Sequence, residues 1–340
     1  MTVTTYLAAD DALRRLRDGA ILNPPLYWPP PDTTGYTVYS LPSSGGVVTL
    51  DDSTDYILQQ TDVINRCITI KGGRNIVWIG GESQIDTMYS YNESDQASVR
   101  FYHSDDTDAQ TANSGRIIHL EGFYAHGYYT AGDIQCACPE AIVQIQNCRV
   151  EGGMWGRQTA EGDAENTPHP DTLQPWGGVL EMRVDRLTGR STYQGLTVDR
   201  DLAPVGDIYL RHVNIDKNYA TCEATDSAPR PFPDYLVWTG QPTDPPDSDP
   251  GNIIVHNGTV WINHPLRTMA GGQVMWPTYE YDTDNIGTYG YWPLSRADMQ
   301  VLDESGTAVG KFYEGPPPGG DYVPASSVGL NNYTSPGYIT

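Results

Sequence analysis

His169, Asp171 and Gln174 stand in the stretch H-P-D-T-L-Q-P-W-G-G, residues 169–178, and Asp163 and Glu165 come shortly before it. Three carboxylates, an imidazole and an amide therefore fall within twelve residues. In an extended chain the H-x-D spacing puts His169 and Asp171 on one side. Such a set can cleave a glycosidic bond. One carboxylic acid of raised pKa protonates the leaving group, and a second carboxylate serves as nucleophile or base. The candidate catalytic residues are Asp163, Glu165, His169 and Asp171, with His169 tuning either acid. Trp155 and Trp176 would stack on a sugar ring, with Gln174 beside them as a further substrate contact. A competing reading makes the same stretch a polar corner. His169 and Gln174 would bond to free backbone groups, Asp171 would cap a turn, and Gly177-Gly178 would permit the bend into the next strand. For His169 and Asp171 the corner reading is preferred.

The elements that hold this stretch are short strands. Gly (35) and Pro (26) are frequent, Tyr reaches 23 and Trp 8, which fits an all-β chain with many turns and broad amphipathic surfaces. Cys67-Ile68-Thr69-Ile70 leads through a glycine turn to Ile76-Val77-Trp78-Ile79. Ala141–Asn147 runs into Cys148-Arg149-Val150, Val179–Val184 follows, Ile208-Tyr209-Leu210 precedes Val213-Asn214-Ile215, and Ile253-Ile254-Val255 precedes Thr259-Val260-Trp261-Ile262. Asn75, Asn147 and Asn257 stand at corners before the second strand of a pair. Paired strands this close have no room for a helical crossover and lack two-residue hairpin turns. A solenoid satisfies them, each strand pairing with its counterpart one coil later and the corner Asn side chains bonding along the stack. Residues 82–113 and 221–250 read as insertions between coils, and a β-sandwich is the competing architecture.

This pattern resembles the right-handed, single-stranded parallel β-helix of the pectate-lyase-like superfamily, the fold of pectate lyases, polygalacturonases and many bacteriophage tailspikes. The resemblance covers roughly residues 45–265. His169, Asp171 and Gln174 also match an H-x-D-x-x-Q stretch found in many members of that superfamily, including members with no established activity. The polygalacturonase set N-x-D…D-D…G-H-G…R-x-K is missing, and lysines are too few to suggest a lyase base.

Residues 1–44 read as a short helix over 8–18 followed by the Pro-rich arm N-P-P-L-Y-W-P-P-P, expected to lie on a neighbouring chain or to cap the first open edge. Residues 266–340 read as a small C-terminal β region, dense in aromatics over 273–295, with a hairpin turning near Ser305-Gly306 and a tail that would order against a neighbour.

A formal charge of −23 disfavours nucleic acid and anionic membranes. No segment is apolar enough to insert in a bilayer, and the start lacks the basic and apolar parts of a secretion signal. Cys67, Cys136, Cys138, Cys148 and Cys222 form no disulfide framework. No cofactor or metal is implied. The acidic clusters at 51–52, 105–108 and 244–249 are weak candidates for structural Ca²⁺, and His119, His126 and Asp133 a weak one for another metal. The expected role is a structural or adhesive bacteriophage tail protein, a minor-tail or tail-tip subunit of the virion. It would contact other tail proteins, copies of itself as a trimer by the resemblance, and host surface polysaccharide. The alternative is a tailspike-like depolymerase, a glycoside hydrolase or polysaccharide lyase.

Overall fold

The computed structural model describes residues 25–86, 97–127, 133–152, 171–191, 195–198, 203–217, 236–238, 251–263, 299–307 and 312–339, with the backbone of a few further short strands. Among the described residues the regular structure is mostly β-strand, with one short α-helix, Thr107–Ala112. Asp106 caps that helix, its Oδ1 accepting from the amides of Asp108 and Ala109.

Pairing is predominantly parallel, each solenoid strand stacking on its counterpart one coil on. Antiparallel pairing joins Thr5–Tyr6 to Tyr338–Ile339, Val274–Pro277 to Arg267–Thr268 and Tyr291–Pro293, and Ser295–Arg296 to Met299–Asp303. A first sheet stacks Gly46–Leu50, Ile68–Gly72, Val99–Tyr102, residues 134–137, Leu173–Gln174, Leu196–Thr197 and Val237–Trp238. A second stacks Thr37–Ser40, Tyr56–Gln59, Ile76–Ile79, Arg116–Glu121, residues 141–146, 181–185 and 207–211, then Ile253–Val255 and residues 301–303. A third runs from Glu82–Gln84 through Tyr124–His126, residues 149–151, 187–191 and 213–217 to Val260–Asn263 and Tyr313–Glu314. This is a repeating, solenoid-like architecture. Its parallel pairing begins at Thr37, inside the segment read as an arm, and continues past residue 265.

Alternation decides what faces inward. Leu58, Trp78, Leu120, Ile145, Val184, Leu210 and Val255 form one in-register row of the second sheet, all at most 2 % exposed. Burying each such side chain contributes about 1.5–3 kcal/mol. Cys67, Cys136, Cys138 and Cys148 are buried free thiols; Cys222 lies outside the described residues.

The bend from second to third sheet is made by one left-handed residue per coil: Gly80, Gly122, Asn147, Arg186 and His212, with φ of 65, 68, 54, 58 and 45°. Asn147 stands at the corner as expected, but its side chain donates to Tyr333 Oη at 3.0 Å rather than along the stack. Asn75 instead bonds across coils just before its strand, donating to Asp55 Oδ1 at 2.9 Å and accepting from the Ile117 amide at 2.8 Å. Asn257, the third expected corner, reaches Asp303 of the following coil. The supposed insertion at 82–113 contains two in-register rungs, Glu82–Gln84 and Val99–Tyr102, and 221–250 contains Val237–Trp238. Their polar residues and brevity hid them.

Both chain ends depart from expectation. The helix read over 8–18 lies outside the described residues. The Pro-rich arm neither caps the first edge nor leaves the chain: it crosses the outer face of the second sheet. Gln146 Oε1 accepts from the amides of Tyr27 and Trp28 at 3.0 and 3.2 Å, and Gln146 Nε2 donates to the Trp28 carbonyl at 2.8 Å. The Arg211 guanidinium lies 3.3 Å from the Tyr27 ring centroid.

The C-terminal segment 320–339 turns back and runs along the corner between second and third sheets as a strap. Asp321 accepts from Arg149 (2.8 Å), Asn214 (3.1 Å) and Arg190 (3.3 Å). The Val323 amide donates to Thr188 Oγ1, Gly329 to the Gly122 carbonyl and Leu330 to Glu82 Oε2. Tyr333 Oη donates to Glu121 Oε1 at 2.6 Å and accepts from Asn147 Nδ2 at 3.0 Å. Tyr338 packs on Ile57 and Val77 and reaches the Pro31 carbonyl at 2.7 Å, joining strap to arm. The tail expected to order on a neighbour is ordered on its own solenoid.

Gly122 shows how closely the strap approaches, because a Cβ there would lie inside the Tyr333 ring, whereas one at Gly258 (φ +76°) meets nothing. Gly258→Ala should cost about 1–2 kcal/mol from its left-handed backbone alone. Gly122→Ala should cost about 1–3 kcal/mol beyond that in urea unfolding. Equal costs would mean that the strap does not press on the corner.

Candidate carboxyl site on the first sheet

Thr69, Arg100, Gln135 and Gln174 occupy one in-register outward row of the first sheet. Their polar groups form a directed chain. Arg100 Nε donates to Gln135 Oε1 at 2.7 Å, and Gln135 Nε2 donates to Gln174 Oε1 at 3.0 Å and to Asp133 Oδ2 at 2.8 Å. Asp133 is two residues before Gln135, on the same outward side of its strand. Asp171 holds the equivalent place one coil later with one residue more, because Thr172 turns inward to fill the space left by Gly189.

Asp133 and Asp171 are both fully buried. Burial pushes the Asp133 carboxyl well above the usual carboxylate range, and the nearby Asp171 charge pushes it further. The Gln135 hydrogen bond and the Arg100 charge pull the other way without prevailing. Asp133 Oδ1 has no hydrogen-bond partner among the described residues. Two like carboxyls buried near one another disfavour each other's ionisation, which adds to the burial that holds the Asp133 carboxyl up.

Aromatic rings flank the row. Tyr102 meets Trp176 edge to face with centroids 6.0 Å apart, and the Arg100 guanidinium lies 6.0 Å from the Trp176 ring centre. Gly177 and Gly178 allow the bend expected of them. A Cβ on Gly177 would strike Ala137, and Gly178 has φ +87° with the Pro204 carbonyl close by.

Of the residues proposed from sequence, the structure brings Asp171, Gln174 and Trp176 to one neighbourhood; Asp163, Glu165, His169 and Trp155 lie outside the described residues. Sequence reading missed Arg100, Tyr102 and Gln135, and had Asp133 only as a metal candidate with His119 and His126. Their signal was the register, D-I-Q at 133–135 stacked under D-T-L-Q at 171–174.

The other candidates separate. His119 lies between Gln144 Oε1 (3.2 Å) and Glu121 Oε2 (2.9 Å), and His126 Nε2 lies 3.0 Å from Glu82 Oε1, so neither joins Asp133. Asp51 closes a turn on Ser53, Asp105 pairs with Lys71 and Asp106 caps the helix. Among the described residues no three His, Cys, Asp or Glu converge as a metal site. The cluster at 244–249 is outside them.

No family model matches the chain, and no curated protein or solved structure is similar enough to be matched to it.

Opposite pH responses follow from two aspartates. The native state holds the Asp133 proton more tightly than the unfolded chain, so stability falls as pH rises from about 3.9, the ordinary Asp value, through the raised native one. Burial raises Asp321, yet its bonds and charges with Arg149, Arg190 and Asn214 more than offset this and leave it below the ordinary value. Its contribution is present above the unfolded value and is lost as pH falls through the native one. In urea unfolding between pH 3 and 8, Asp133→Asn should gain on the original chain as pH rises. Asp321→Asn should lose most near neutrality and little in acid. Parallel curves for all three proteins would contradict both assignments.

Proposed function

We propose that the chain is a right-handed, single-stranded parallel β-helix serving as a structural or adhesive subunit of a bacteriophage tail. In this reading it sits in the virion among copies of itself and other tail proteins and presents its side to host envelope glycan. The observation that carries it is the consolidation of the rod by its own ends. The Pro-rich arm and the strap cover outward faces of the coils, and the two carboxyls on the first sheet are enclosed. Such a rod suits load-bearing and surface presentation. The charge of −23 favours neutral or cationic ligands over polyanions.

A depolymerase is the second reading, and one observation favours it: Asp133 lies close to Asp171 with its carboxyl held well above the usual range, and the Trp176 and Tyr102 rings flank the row. Incubation with purified host envelope glycan separates the two. The adhesive reading expects cosedimentation with the glycan and no new reducing ends or unsaturated products. Product release that Asp171→Asn or Asp133→Asn abolishes, with thermal unfolding unchanged, would establish the depolymerase instead.

A further inference from the structure

The strap is held by an unusual set of contacts. Its described hydrogen bonds to the third-sheet corner join residues from 107 to 248 positions apart, so none depends on local sequence. It reads the solenoid with main chain and side chain together: Asp321 on Arg149 and Arg190, the Tyr322 amide on Asn214 Oδ1, the Val323 amide on Thr188, and Tyr333 on Glu121. Val323, Val328 and Tyr338 are at most 3 % exposed in this seat. A groove that recognises a peptide segment so fully does not distinguish whose segment it is.

The connection to the strap is Gly315-Pro316-Pro317-Pro318-Gly319-Gly320, immediately after the last third-sheet strand, Tyr313–Glu314. To fold back on its own coils the chain must reverse here. It does so with left-handed Gly315 (φ 93°) and Gly320 (φ 83°) and a turn closed by the Gly320 amide on the Pro317 carbonyl at 2.9 Å. Three consecutive prolines favour extension, since their φ is fixed and they donate no amide to a turn. Stiff or strained hinges of this kind lower the cost of exchanging a terminal element between copies.

We infer that the strap is an exchangeable arm, and that the partner its groove fits is the strap of a second copy of this chain. Straightening 315–320 sends the strap beyond its own last coil. It then meets a copy stacked C-terminal end to C-terminal end, and runs along that copy from its last coils towards its first. That is the direction it takes on its own solenoid, so every contact is conserved. The arrangement is two-fold and self-complementary, each copy receiving the other's strap. It differs from the three-fold assembly implied by the family resemblance. In dilute solution the tethered strap has the higher effective concentration, and the closed monomer is preferred.

Two experiments test it. Wild-type chain unfolded in urea and refolded from about 1 to 500 µM, a range reaching towards the effective concentration of a tethered segment, should give a dimer of twice 37.4 kDa by light scattering. Its fraction should rise at least tenfold over the range and persist on dilution. Arg149→Asp and Asp321→Arg then identify the contact. Each variant opposes like charges within one chain, whereas exchange in an equimolar mixture pairs opposite charges at both seats. Co-refolding should give a one-to-one heterodimer by native mass spectrometry in excess over either homodimer. Wild-type chain that is monomeric at every refolding concentration would overturn the inference. So would a dimer whose formation is unaffected by Asp321→Arg alone and whose mixed form is not enriched.

Discussion

The structure depends on one electrostatic constraint: outward-facing charged groups at the corner between second and third sheets are buried and must be bonded. Glu121 is fully enclosed, and Arg149 is 3 % exposed. A charge out of water with no partner costs several kcal/mol, more than any single apolar contact returns. The solenoid's own strands supply part of the partners, Glu151 to Arg149, His119 to Glu121 and His126 to Glu82. The strap supplies the rest, with Tyr333 on Glu121, Asp321 on Arg149 and the Leu330 amide on Glu82. The segment 320–339 is therefore a component of the solenoid's outer wall.

The same corner explains the residues chosen for it. A left-handed bend is inexpensive for glycine and tolerable for asparagine, and it costs an arginine or histidine about 1–2 kcal/mol. The chain uses Gly80 and Gly122 where Tyr333 lies against the backbone, and Asn147 where a side chain must also donate to Tyr333. Arg186 and His212 form the corners of the next two coils, where the strap's Tyr322 ring stands edge to face with His212 at 5.3 Å and His212 bonds to Asp185 at 2.8 Å. Corner identity and strap path are thus two views of one fit.

The architecture was readable because paired strands too close for a crossover leave few topologies, and Ala141–Val150 or Ile208–Ile215 could hardly be anything else. Rungs two to four residues long were not readable. Val99–Tyr102, with an arginine outward and a tyrosine beside it, has too little alternation to stand out, and its parallel pairing with Ile68–Gly72 and residues 134–137 identifies it. Asp171, Gln174 and Trp176 were legible as a local motif. Asp133, Gln135 and Arg100 were not, because their relation to that motif is one of stacking across some forty to seventy positions. The strap was misread for a related reason. A segment of glycine, proline and serine has no apolar period of its own, and its affinity resides in the polar groups it answers on the solenoid.

The central claim is that the strap and the coils form one cooperative unit. Native-state hydrogen exchange of the full chain tests it most directly. The account predicts that the amides of Val323, Gly329 and Tyr333 exchange only through the same global opening as those of the central coils, such as Ile145 and Val184. Strap amides that exchange orders of magnitude faster, while the central coils remain protected, would contradict it.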